Sequence, residues 1–274
     1  MEHYICVTCG TQFAATATTP AHCPICEDER QYIGHNGQQW TTLAQLRTTH
    51  KNQVREHEPQ LVGIGTEPRF AIGQRALLVQ SPGGNLLWDC ITLIDDATFA
   101  RVRALGGIRA IAISHPHYYS CMVEWSHAFD APIYLHTAER PWVMRPDAAI
   151  EFWTGETMPL WDGMTLIRGG GHFEGGQMLH WPAGVTGKGA LLTGDIIQVV
   201  SDRRWVSFMY SYPNLIPLSA AKVQHLADVV QPYAFDRIYG AWWETIVAQD
   251  AKAAVARSAQ RYIGMIRDDR STNQ

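Results

Sequence analysis

The sequence predicts an α/β protein in which two strand-rich halves, interleaved with helices, pack sheet on sheet with helices outside. Three observations carry that expectation. Four of the six cysteines lie in two Cys-x-x-Cys knuckles near the start of the chain. From residue 61 onward, apolar strand patterns alternate with helical ones. Three histidines and an aspartate stand where predicted strands run into loops.

The knuckles Cys6-Val7-Thr8-Cys9 and Cys23-Pro24-Ile25-Cys26 are separated by thirteen residues. In a reducing compartment that spacing gathers four thiolates around one tetrahedral ion, most often zinc. Such a site is coordinatively closed, so Cys6, Cys9, Cys23 and Cys26 are assigned to a structural zinc ribbon over residues 1–35, too short to fold without its metal. Residues 36–60 read as a linker with one short helix: Thr42 can cap it, and residues 51–59 are charged and aperiodic. The main domain is expected over residues 61–274. Cys90 and Cys121 read as small buried hydrophobes.

Within the main domain, residues 76–80 and 85–89 flank Ser81-Pro82-Gly83-Gly84 as a hairpin. Asp95 or Asp96 caps a helix with Phe99, Val102 and Leu105 on one face, which Gly106-Gly107 ends. Residues 108–113 form a buried strand from which His115 emerges. Residues 118–129 read as a helix with Met122, Trp125 and Phe129 aligned. Strands follow at 133–135, 164–167, 177–181, 190–193 and 235–239. Ser219 caps a helix carrying Val223, Leu226 and Val230, and residues 246–266 form a long closing helix.

Composition excludes several classes of function. A net charge of −4 over 274 residues offers no electrostatic reason for nucleic-acid binding or an anionic membrane surface. No apolar run reaches the ~20 residues of a membrane span. Residues 1–4 lack a basic or apolar leader pattern, and with paired knuckles the chain is expected to be cytoplasmic.

The segments Leu87-Trp88-Asp89, Ser114-His115-Pro116-His117, Gly170-Gly171-His172 and Thr193-Gly194-Asp195 follow in that order. In this order and at these intervals the chain resembles the metallo-β-lactamase superfamily, its glyoxalase-II-like branch most closely. The resemblance covers residues 61–274 and implies an αββα sandwich. In that superfamily His-x-His-x-Asp-His supplies two histidines to a first metal, and its aspartate and last histidine to a second. His115 and His117 match the first pair, and His172 matches the third ligand of the first metal. Asp195 matches a carboxylate that can bridge both. Tyr119 stands at the aspartate position and Ser120 at the last histidine. Tyr239-Gly240-Ala241-Trp242-Trp243 has no histidine where a final second-metal ligand follows the last strand. All ligands belonging to the second metal alone are replaced, so the resemblance implies one zinc or iron ion at His115, His117 and His172, with Asp195 as fourth ligand or hydrogen-bonded to bound water.

One ion on three imidazoles with an open position lowers the pKa of water toward neutrality. The expected activity is therefore metal-dependent hydrolysis of a small-molecule thioester, ester or lactone. Asp195 would orient the water and accept a proton. Tyr119 would donate a hydrogen bond to the developing oxyanion, or fill the vacated second-metal space with its ring. Two alternatives stand beside this. His115, His172 and Asp195 could form the facial triad of a mononuclear iron oxygenase of the persulfide-dioxygenase type. A degenerate site behind a ribbon could also serve as a non-catalytic scaffold. His127, His136, His180 and His225 read as ordinary core or surface histidines. Trp153, Trp161, Trp205, Trp242 and Trp243 could wall an apolar pocket, and Arg140, Arg145, Arg203 and Arg204 could hold an acidic substrate. The closing helix permits a homodimer.

Overall fold

The computed structural model describes residues 1–268, and the chain divides into two compact units, Met1–Trp153 and Thr154–Gln274. Among the described residues no helix is long and apolar enough to cross a membrane.

The first unit opens with the cysteine-rich segment. Ile5–Cys6 pairs antiparallel with Trp40–Thr41, so the ribbon's sheet closes beyond the expected boundary at residue 35. The helix Leu43–Thr49 follows, with Thr42 and Gln45 forming a reciprocal capping box. A seven-stranded sheet then runs in the order Lys51–Glu58, Leu61–Glu67, Arg75–Val79, Leu86–Trp88, Ala110–Ala112, Ile133–His136 and Ile150–Trp153. Its first four strands are antiparallel neighbours and its last three join in parallel.

The linker expected at residues 51–59 is corrected here. Lys51–Glu58 is the edge strand of this sheet, with Val54 opposite Ile64. An edge strand has one solvent-facing side, so it accepts charged residues that would be costly inside the sheet. The signal of alternating burial is correspondingly weak. The helix expected from residue 118 is also corrected. A 3-10 turn spans Pro116–Tyr118 and the α-helix begins only at Met122, because Ser120 takes a left-handed φ of 48°. That helix buries Met122, Val123, Trp125 and Ser126, and Trp125 donates its indole N–H to Ile91 O at 3.0 Å.

The helix Asp96–Ala104 begins as expected. Asp95 accepts from Thr98 N at 2.7 Å, and its second carboxylate oxygen accepts from Asn52 N at 3.1 Å. One side chain thus both caps the helix and ties down the edge strand. Asp95→Ala should lower the unfolding free energy by about 1–2 kcal/mol, measured by urea denaturation; an unchanged midpoint would show that water replaces the cap without loss.

The second unit carries a six-stranded sheet ordered Thr157–Pro159, Thr165–Arg168, Gln177–Trp181, Ala190–Gly194, Arg237–Gly240 and Ile246–Val247. Ala190–Gly194 and Arg237–Gly240 are parallel, and the other pairs are antiparallel. The helix Ala220–Val230, capped by Ser219, buries Val223, Leu226 and Val230 against Ile167, Met178 and Leu191. Ile246–Val247 is a strand rather than helix, and the closing helix spans Ala251–Arg267. That helix turns Ala251, Ala254, Val255, Ser258 and Ala259 inward, a stripe of small side chains that permits close packing.

Candidate metal centres

The four ribbon cysteines come together as the spacing predicts. All are buried, their sulfurs lie within 4.8 Å of one another, and Cys6–Cys26 and Cys9–Cys23 are 3.6 and 3.7 Å apart. Four thiolates at ~2.3 Å from one ion form a tetrahedron with edges of about 3.8 Å. The cluster therefore fits such an ion. Gly10 closes the first knuckle by donating its N–H to Cys6 O at 2.8 Å, at a φ of 81° that favours glycine. Gln38 donates to Cys6 Sγ at 3.1 Å, the kind of outer contact that orients a thiolate.

The histidines are placed by the ends of strands. In the first unit, His115 follows the parallel strand Ala110–Ala112, and His117 lies in the 3-10 turn after it. Their rings meet edge to face, with centroids 5.0 Å apart, and both side chains are buried. Behind them, Ser114 N donates to Asp89 Oδ1 at 2.7 Å, and Ser114 Oγ meets His115 Nδ1 at 3.1 Å. Asp89 thereby anchors the start of the histidine loop. Burial first of all pushes its carboxyl up to about 7, opposed by the Ser114 hydrogen bonds and the charge of Arg75. The sequence carried only a faint sign of this role, an aspartate at the end of an apolar hairpin.

In the second unit, His172 sits in the loop between the strands Thr165–Arg168 and Gln177–Trp181. Gly171 precedes it at φ 77°, where a Cβ would stand 3.0 Å from Leu226. His172 Nδ1 lies 2.7 Å from Tyr210 O. A carbonyl only accepts, so Nδ1 carries the proton and Nε2 is left with its lone pair to bind an ion. Asp195 follows the strand Ala190–Gly194, is buried, and its own carbonyl accepts the Tyr212 hydroxyl at 2.8 Å.

His115 and His117 offer their ring nitrogens side by side in the first unit, and His172 offers Nε2 in the second. Neutral imidazoles of this kind bind a divalent metal at about 2.0–2.1 Å, so the donor chemistry of all three residues suits one. His180 Nε2 donates to Ala234 O at 2.8 Å, the satisfied strand histidine expected of it. His127 pairs with Asp147 at 3.0 Å.

The relatives of the chain bear on these groups. No family model matches it. The uncharacterized protein YmaE of Bacillus subtilis (strain 168) is 55% identical over 265 residues, covering 96% of each chain. The chain belongs to the YmaE family. Among solved structures, the DIM-1 metallo-β-lactamase superposes with a TM-score of 0.58 at 15% identity, over 77% of this chain and 97% of that one. VMB-1 gives the same TM-score at 12% identity, over 79% and 98%. A metallo-β-lactamase from Cronobacter sakazakii gives 0.53 at 15%, over 79% and 93%. This member of the YmaE family therefore has the metallo-β-lactamase fold, as the order of its motifs implied.

Tyr119 and Ser120, which follow the histidine pair, differ in how their side chains are satisfied. Ser120 Oγ accepts from Gln74 Nε2 at 3.0 Å and lies 3.4 Å from Cys90 O. Tyr119 is buried, and its hydroxyl finds no hydrogen-bond partner among the described residues. Burial, then the charge of Glu139, pushes its pKa well above the ordinary phenol range, so it stays protonated.

Proposed function

We propose that this protein is a metal-dependent hydrolase acting on a small-molecule thioester, ester or lactone with a single ion at His115, His117 and His172. The Cys6, Cys9, Cys23 and Cys26 cluster holds a second, structural zinc. The observation that carries the reading is the buried pair His115 and His117 at the end of a strand, followed by Tyr119 and Ser120 where the resemblance sets second-metal ligands. When bound, the ion supplies a Lewis acid that polarises a carbonyl and makes water nucleophilic at neutral pH.

The protein's own residues do the rest. Tyr210 O fixes the tautomer of His172, and Ser114 with Asp89 fixes the loop of His115. The Tyr119 hydroxyl, protonated and without a competing partner, donates to the carbonyl oxygen as charge develops on it. A donor buried before substrate arrives has already met its desolvation cost, which a hydrogen bond to substrate then recovers. Asp195 orients the water and takes its proton.

Elemental analysis of wild type and a His115→Ala/His172→Ala variant tests this reading. Wild type should carry two zinc ions per chain and the double variant one. One zinc in both proteins would remove the histidine centre and the hydrolase with it. If the ion that the variant loses is iron, an oxygen-dependent reaction replaces hydrolysis.

A further inference from the structure

The ribbon does more than append a metal to the first unit. The residues that directly follow Cys9 run against the histidine loop. Gln12 N donates to Ser120 O at 3.0 Å, and Thr92 Oγ1 donates to Gly10 O at 3.0 Å. Gly10 is wedged there, since a Cβ on it would lie 2.5 Å from Thr92 Oγ1 and 3.1 Å from Ala71 Cβ. The Gln12 side chain enters an ionic cluster, donating to Glu124 at 3.3 Å and accepting from Arg145, which itself holds Glu124 at 2.6 Å. Ala14 N continues the seam by donating to Met144 O at 3.1 Å. A cavity of only about 10 Å³, at the limit of what one water molecule needs, is lined by Thr11, Gln12, Tyr119 and Ser120 among others.

On the other side of this contact the ribbon strand is tied to the thiolates. Cys6 N donates to Thr11 O at 3.0 Å, and Phe13 N to Tyr4 O at 2.8 Å. The turn it grips is short and held in a sparsely populated conformation. His117 lies three residues before Ser120, whose φ of 48° persists only where its surroundings impose it. Gln12 N and Gln74 Nε2 are the donors that impose it.

We propose that the four-cysteine ribbon is a positioning element of the histidine centre, holding the turn that carries His117 through Gly10 and Gln12. Gln12 and Gly10 touch neither ion nor substrate; Gln12 acts through Ser120, and Gly10 seats the knuckle against Thr92. The thiolate cluster and the histidine centre are then linked sites, and loosening one weakens metal binding at the other. This inference rests on the proposed histidine centre.

Cobalt titration of zinc-ribbon protein tests it, with Gln12→Pro compared against Gln12→Ala. Proline removes the N–H that reaches Ser120 O, whereas alanine keeps it and removes only the side chain. Intact zinc in the ribbon is checked by elemental analysis in each sample. The histidine centre of Gln12→Pro should bind cobalt about tenfold more weakly, the equivalent of one lost hydrogen bond, and Gln12→Ala within about threefold of wild type. Amide exchange over residues 117–121 should quicken in the proline variant alone. Unchanged cobalt affinity and exchange in Gln12→Pro would overturn the proposal. If that variant does not fold, Thr92→Val decides: about threefold weaker cobalt binding supports the link, and wild-type affinity refutes it. Absence of cobalt uptake by wild type at the histidines would instead refute the centre itself, while the exchange comparison still reports whether Gln12 holds the turn.

Discussion

Cys9→Ser should lose the ribbon ion and lower the thermal midpoint of the protein by roughly 10 °C or more. The segment has little else to hold it. Its core is Cys6, Cys9, Phe13, Cys23, Ile25 and Cys26, with Trp40, Trp142 and Met144 packed at its edge. Its sheet is a two-stranded pair of two-residue strands. So small a core cannot offset the backbone entropy of ordering the segment, and metal binding must supply the difference. Structural zinc sites contribute on the order of 10 kcal/mol or more in isolated units. A loss of even ~4 kcal/mol moves the midpoint of a domain this size by about 8–16 °C. The effect spreads beyond the ribbon because Gln12, Gly10 and Ala14 are bonded to the sheet-bearing part of the same unit. Calorimetry with metal analysis checks it; a variant that keeps both its ions and its midpoint would show the thiolates to be dispensable.

Two buried groups, His57 and Asp89, should bend the pH dependence of stability in opposite directions, and removing either should tilt the profile. Arg75 is fully buried and donates from Nε to His57 Nε2 at 3.0 Å. Burial first, then the charges of Arg75 and Arg55, lowers the His57 pKa to about 4. Burial raises Asp89 to about 7. For His57 the unfolded chain binds the proton more tightly, so stability rises as pH climbs from about 4 to about 6.5. For Asp89 the folded protein binds it more tightly. The contribution of Asp89 is full below about 4 and is lost as pH climbs to about 7. Each slope approaches 1.4 kcal/mol per pH unit in magnitude, and over the shared window they cancel. Asp89→Asn should therefore gain about 2–3 kcal/mol of unfolding free energy between about pH 4 and 6.5, measured by urea denaturation. His57→Gln should lose a similar amount over the same range. Parallel curves for wild type and both variants would mean that neither group changes its proton affinity on folding.

The candidate ligands were legible in the sequence because ligand chemistry writes itself locally. Paired Cys-x-x-Cys knuckles bend the chain by themselves, and His115, His117, His172 and Asp195 each follow an apolar strand that must end where they begin. Helix starts were legible for the same reason: Thr42, Asp95 and Ser219 cap helices through bonds only three residues long. The strand Lys51–Glu58 was not, since its partner Leu61–Glu67 supplies the hydrogen bonds and nothing in its own pattern demands burial. Nor was the late start of the helix at Met122. Residues 118–129 have good helical periodicity, and only the left-handed Ser120, bonded to Gln74 and to the ribbon's Gln12, interrupts it.

Residue order alone therefore determined the fold class and which cysteines would meet, because each depends on which side chains are present and how far apart they lie. Tertiary structure decided what the replacements do. Tyr119 became a buried hydroxyl with no hydrogen-bond partner among the described residues, and Ser120 the residue on which the ribbon closes. Asp89 and Arg75 acquired their roles in the same way, through burial and long-range bonds. Burial, proton affinity and contact across more than a hundred residues arise only when distant segments exclude water together, and no local pattern encodes them.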